Sequence, residues 1–179
     1  MYGTKDVMTE KTRQTLALLV VDEPWVMVRI SSLISRRGYN IDTITVSKTH
    51  ITGVSKIVLS FSGDDATVDK LMRQMMRVES VFKVVRLDAS IERELCLVHV
   101  KVLHDAVQES ILSYINKAGY LIAGKDALSL IIEATDTPAR IDALLSFVDE
   151  FGIVDLSRTG TTAISTTPAL SDEECAKLR

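Results

Sequence analysis

The sequence predicts an α+β fold in which one βαββαβ unit occurs twice in tandem. Blocks of strand-spaced and helix-spaced apolar residues follow the same order in both halves. Gly38-Tyr39 with Ile41 is echoed by Gly119-Tyr120 with Ile122, and Val68-Asp69 with Leu71 by Ile141-Asp142 with Leu144. The separation shortens between the two echoes, as it must if the first hairpin is the longer one.

Leu16 to Val21 is a continuous apolar run of strand length, ended by Asp22-Glu23-Pro24, where Pro has no N–H for a ladder. Pro24 suits a first helical turn, and Asp22 or Glu23 suits the positive end of the helix dipole. Val26, Met27, Ile30, Leu33 and Ile34 then recur at helical spacing, with Gly38 as a left-handed stop. Asn40 to His50 reads as a strand, and Thr52-Gly53 turns it into a second strand bearing Ile57, Leu59 and Phe61. Gly63-Asp64-Asp65 opens a helix striped by Val68, Leu71, Met72 and Met75, and Val81 to Leu87 closes the unit as a strand. A β-α-β-β-α-β order is the ferredoxin-like arrangement, a four-stranded antiparallel sheet with two helices on one face.

In the second half Cys96, Val98, Val100 and Val102 alternate along a strand, and Val107, Ile111, Ile115 and Ala118 line a helix closed by Gly119. Tyr120 to Ile122 and Leu128 to Ile132 read as strands, Thr137-Pro138 starts a helix, and Ile153 to Leu156 finishes. The expected division is a flexible arm at 1–14, a first domain at 15–88, a second at 89–164 and a tail at 165–179 with a short helix near Ser171. Arg86 to Glu92 is the expected linker.

Among 179 residues, 21 Lys and Arg stand against 24 Asp and Glu, so a net charge of −3 offers no electrostatic footprint for nucleic acid or an anionic membrane. No apolar run approaches the ~20 residues that cross a bilayer. Cys96 and Cys175 lie far apart, which suggests neither a disulfide framework nor a zinc site and fits a reducing cytoplasm.

The search for chemistry finds no nucleophile motif beside His50, His99 or His104. Cys96 and His99 point to opposite faces of a strand, which argues against a shared metal. Glu92 and Glu94 share a strand face and can be an acid/base pair or an exposed strand start, the reading adopted here. Lys70, Arg73 and Arg77 form a basic stripe, read as a solvated face rather than a docking site. No nucleotide-binding glycine motif exists, and the sequence predicts no enzyme. What remains is a strand-to-helix corner at Asp22 to Trp25 and a turn at Gly38 to Asn40, which a ferredoxin-like sheet can bring together; N–H groups at a helix start bind a small carboxylate.

Arg37-Gly38-Tyr39-Asn40-Ile41, Thr45-Val46 and Gly53-Val54-Ser55-Lys56 resemble the first domain of acetohydroxyacid (acetolactate) synthase small subunits, a ferredoxin-like amino-acid-sensing module of the ACT type. The resemblance continues in Ile91-Glu92-Arg93-Glu94-Leu95, Leu97-Val98 and Arg158-Thr159-Gly160, and spans about Leu16 to Ile164. It implies a regulatory, non-catalytic subunit that forms a homodimer through ACT domains and docks on a catalytic large subunit in branched-chain amino acid biosynthesis. Thiamine diphosphate, Mg and FAD are then expected only in that partner, with no cofactor in this chain. A stand-alone ACT-type sensor acting on another enzyme or regulator is the rival reading.

By that resemblance the effector, typically valine, is held by Asp22, Trp25, Val26, Met27, Asn40 and Ile41. The family's corner usually carries Asn and Gly where this chain has Asp22 and Trp25, while Arg29 and Asn40 match. An indole in place of glycine fills ligand space, and a carboxylate repels the effector's own. Valine binding in the usual pose is then weakened or absent; alternatively, Trp25 turns outward and packs at the dimer interface.

Overall fold

A run of seven buried residues, Gln14 to Val20, makes β1 (Thr12–Val21) the centre of the first sheet. The structure, a computed structural model, describes residues 12–36 and 38–167. After β1 come α1 (Val26–Ser35), β2 (Ile41–Lys48), β3 (Val54–Gly63), α2 (Asp65–Met75) and β4 (Val81–Arg86). The sheet order is β2-β3-β1-β4 with every pair antiparallel. Leu16, Leu18 and Val20 point to one face, where Ile57, Leu59 and Phe61 of β3 join the stripes Val26, Ile30 and Ile34 of α1 and Val68, Leu71 and Met75 of α2. Asp64 caps α2 by accepting from the Thr67 N–H at 2.8 Å.

The second half runs β5 (Ser90–Lys101), α3 (Asp105–Ala118), β6 (Leu121–Lys125), β7 (Ser129–Asp136), α4 (Pro138–Asp149), β8 (Ile153–Arg158) and β9 (Thr162–Ser165). Its main path, β6-β7-β5-β8, repeats the order of the first sheet. The repeat extends to the irregularities. The central strand shifts register against its last partner between Leu19 and Val20 in one half and between His99 and Val100 in the other. Both edge strands slip just after Ile41 and Ile122. Gly38 and Gly119 both adopt positive φ, 70° and 77°, where each first helix gives way to an edge strand. Cys96, Val98 and Val100 meet Ile111, Ile115, Ile141, Leu144 and Val148 in the second core.

The chain divides into two compact units, residues 1–90 with 163–179, and residues 91–162. Several expectations are corrected. The arm expected at 1–14 gives way to β1 at Thr12, whose polar start pairs with Ser62 and Gly63 of β3; residues 1–11 lie outside the described residues. Pro24 sits in a turn before α1, not in its first turn, which holds no acidic residue. The linker expected over Arg86 to Glu92 shrinks to 87–89, because β4 reaches Arg86 and β5 starts at Ser90.

The second domain, expected to run to 164, ends sooner: β8 reaches Arg158, and Ala163 returns to the first unit, packing on Ala17, Val58 and Leu87 on the sheet face away from the helices. The helix expected near Ser171 lies outside the described residues. Glu94, expected at an exposed strand start, is fully buried: the Arg158 guanidinium bonds its carboxylate and also reaches Asp142 at 2.7 Å.

Candidate functional site

The corner between β1 and α1 is fastened from two sides. The Val21 N–H donates to the Ser80 carbonyl at 2.9 Å, and the Asp22 N–H to the Gly53 carbonyl at 2.9 Å. The chain then turns through Glu23-Pro24-Trp25 into α1, whose start no side chain caps. A cleft of about 350 Å³ opens here, walled by Asp22, Glu23, Val26 and Met27 and by Val46 and Ser55 of the β2–β3 hairpin. Its rim is acidic. The Ser55 hydroxyl donates to one Asp22 oxygen at 3.0 Å, and the Lys48 ammonium stands 3.7 Å from the other, exposed enough for solvent to screen the pair. Such a rim receives an ammonium readily. A carboxylate entering beside it meets Asp22 and Glu23, with Lys48 as partial compensation.

Asp22, Val26 and Met27 are therefore brought together; Trp25, Asn40 and Ile41 are not cleft walls. Trp25 is 69% exposed, so the indole leaves the cleft open within one protomer. Asn40 is exposed, and Ile41 packs on the core. The expectation that Gly38 to Asn40 approaches the corner fails for one chain. Val21 pairs with Val54 at the start of β3 and Ile41 with Phe61 near its end, so the two loops lie at opposite ends of the sheet, roughly 15 Å apart along the ten-residue α1. Arg29 turns elsewhere, donating to the Ser80 hydroxyl at 3.3 Å.

Val46 and Ser55, quoted in the sequence only for the resemblance, wall the cleft and Lys48 stands beside it, although none of the three was an expected site residue. Their signal is the hairpin register, which places Lys48 opposite Ser55. The other chemical candidates are dispersed. His99 shares a 2.7 Å hydrogen bond with Ser129, and burial pushes the Cys96 thiol above its ordinary range. Lys70, Arg73 and Arg77 are exposed. Among the described residues no group of three His, Cys, Asp or Glu is placed to hold a metal, and no helix is long and apolar enough to cross a membrane.

Comparison with known proteins gives a consistent likeness over both units. A family model described as "AHAS small subunit-like ACT domain" matches residues 16–83, and one described as "Small subunit of acetolactate synthase" matches residues 93–167. The chain is 33% identical over 158 residues to a probable acetolactate synthase small subunit of Methanothermobacter thermautotrophicus, covering 87% of this chain and 94% of that one. It is 34% identical over 157 residues to the acetolactate synthase small subunit of Mycolicibacterium smegmatis, covering 86% and 91%. The crystal structure of an acetolactate synthase small subunit from Thermotoga maritima superposes with a TM-score of 0.78 at 27% identity, covering 88% of this chain and 99% of that one.

Proposed function

The chain belongs to the acetolactate synthase small-subunit family, the regulatory and non-catalytic component of that enzyme, and from that premise we propose that it binds and activates a catalytic large subunit. One observation carries the reading: two family models of this subunit match the two halves of the chain in order. Family membership places cofactors in the partner, so thiamine diphosphate, Mg and FAD act there and this chain contributes none. Its part is thermodynamic. An effector regulates only if it binds one arrangement of the complex more tightly than another.

The effector in this reading is a branched-chain amino acid held between ACT domains of a homodimer. The geometry of one protomer supports the need for two: the corner at Asp22 and the turn at Asn40 lie at opposite ends of the sheet, so a site using both takes one from each copy. Asp22 and Glu23 oppose the effector's carboxylate, and the exposed indole of Trp25, beside the cleft, is in this reading a contact of the second copy. Valine feedback is accordingly weak in this chain, while activation persists.

Mixing this chain with its catalytic subunit tests the first part. Co-elution and a rise in turnover are expected; no association together with unchanged turnover rejects the reading. Calorimetric titration with valine tests the second. The Asp22→Asn, Trp25→Gly double variant should bind valine about tenfold or more tighter than the unaltered chain, a gain of about 1.4 kcal/mol. Micromolar affinity in the unaltered chain would overturn it.

A further inference from the structure

A second cavity, of about 540 Å³, lies in the first unit on the sheet face away from the helices. Strand alternation separates it from the corner cleft: Ala17 and Leu19 form its floor, whereas Val20 and Ile57, which point to the helical face, wall the cleft. Ile164 and the hydroxyl-bearing residues 165–167 supply one wall, Ser47 and Thr49 add further hydroxyls, and Lys48, His50 and Lys56 supply the nitrogen groups. The volume is in the range of small-molecule sites.

Lys56 is the unusual member. It is half-buried, and its ammonium donates to the Ala163 carbonyl at 2.6 Å, a neutral partner. Among the described residues no carboxylate lies within ion-pair distance of it, and no Asp or Glu lines the cavity. Burial accordingly holds its pKa below the ordinary lysine range. Arg86, Arg140 and Arg158, by contrast, each meet a carboxylate. A partly desolvated cation bonded to a neutral carbonyl lacks a counter-charge, and an anion with a short apolar body, set against the Ala17, Leu19 and Val85 part of the lining, supplies both halves of the match.

We propose that this cavity binds a small aliphatic carboxylate without an amino group, its carboxylate on Lys56 and its hydrocarbon part on Ala17, Leu19 and Val85. The absent amino group follows from the lining: an α-ammonium would meet the Lys56 ammonium and, among the described lining residues, no acid, the Lys48 ammonium being directed to Asp22 at 3.7 Å. The site thus has the opposite preference to the acidic corner, and it stands whether or not a catalytic subunit is engaged.

The test is calorimetric titration of the full chain with 3-methylbutanoate, its uncharged analogue 3-methylbutanamide, and valine. Saturable binding of the carboxylate is expected, with the amide and valine each weaker by about tenfold or more. Lys56→Met should lose about tenfold or more in carboxylate affinity, and Lys56→Arg, which keeps the charge, should retain most of it. Because the amide control uses the unaltered chain, a misfolded methionine variant does not rescue the idea. Absence of carboxylate binding, equal binding of acid and amide, or an unchanged Lys56→Met would each overturn it.

Discussion

Arg158→Met is expected to destabilise the second domain by about 3 to 5 kcal/mol. The Glu94 carboxylate is fully buried, and one of its oxygens, Oε1, has no hydrogen-bond partner, so its tolerance in the fold rests on the guanidinium of Arg158 at the other oxygen. Removing that cation strands a desolvated charge, whereas its surface partner Asp142 is half-exposed and can return to water. Urea unfolding of the full chain followed by circular dichroism gives the measurement, since the exposed Trp25 is a poor reporter of packing. A loss below about 1 kcal/mol would mean that Glu94 finds another partner. The double variant Glu94→Leu, Arg158→Met should recover most of the loss, because the pair is replaced rather than broken.

Phe61→Ala should cost the first domain about 3 to 5 kcal/mol. Phe61 is 1% exposed and among the largest fully buried side chains; its strand pairs it with Gln14 on one side and Ile41 on the other. Its ring also lies against Gly63, so closely that a β-carbon on that glycine would sit 3.1 Å from it. Neighbours on two strands and at the entry to α2 hold the cavity walls apart, and a void left by the ring collapses only in part. Phe61→Leu, which keeps most of the volume, should cost much less in the same urea experiment, and equal losses would point to backbone rearrangement instead.

The helices were legible because their stripes are local: Val68, Leu71 and Met75 need only one another's spacing to declare a face. Strand starts were not. Thr12, Arg13 and Ser90 read as loop because their place in a ladder depends on partners such as Gly63 and Ser62, distant in sequence. Glu94 was misplaced for the same reason: its counter-charge arrives from Arg158, on the last strand of the unit. At the corner, Asp22, Val26 and Met27 could be found from the strand-to-helix transition alone. The opposite wall, Val46 with Ser55, required the hairpin register, and the distance of Asn40 from the corner required the direction of β3.

Because Ala163 closes over Ala17, Val58 and Leu87 and accepts the Lys56 ammonium bond, the first domain is discontinuous in sequence. A fragment cut after Asp88 would strip that apolar patch bare and leave the lysine without its carbonyl. Such a fragment should be stickier and less stable than the same residues in the whole chain. Dissection of this subunit therefore calls for a graft of residues 163–167 onto the fragment, or for circular permutation, in place of simple truncation.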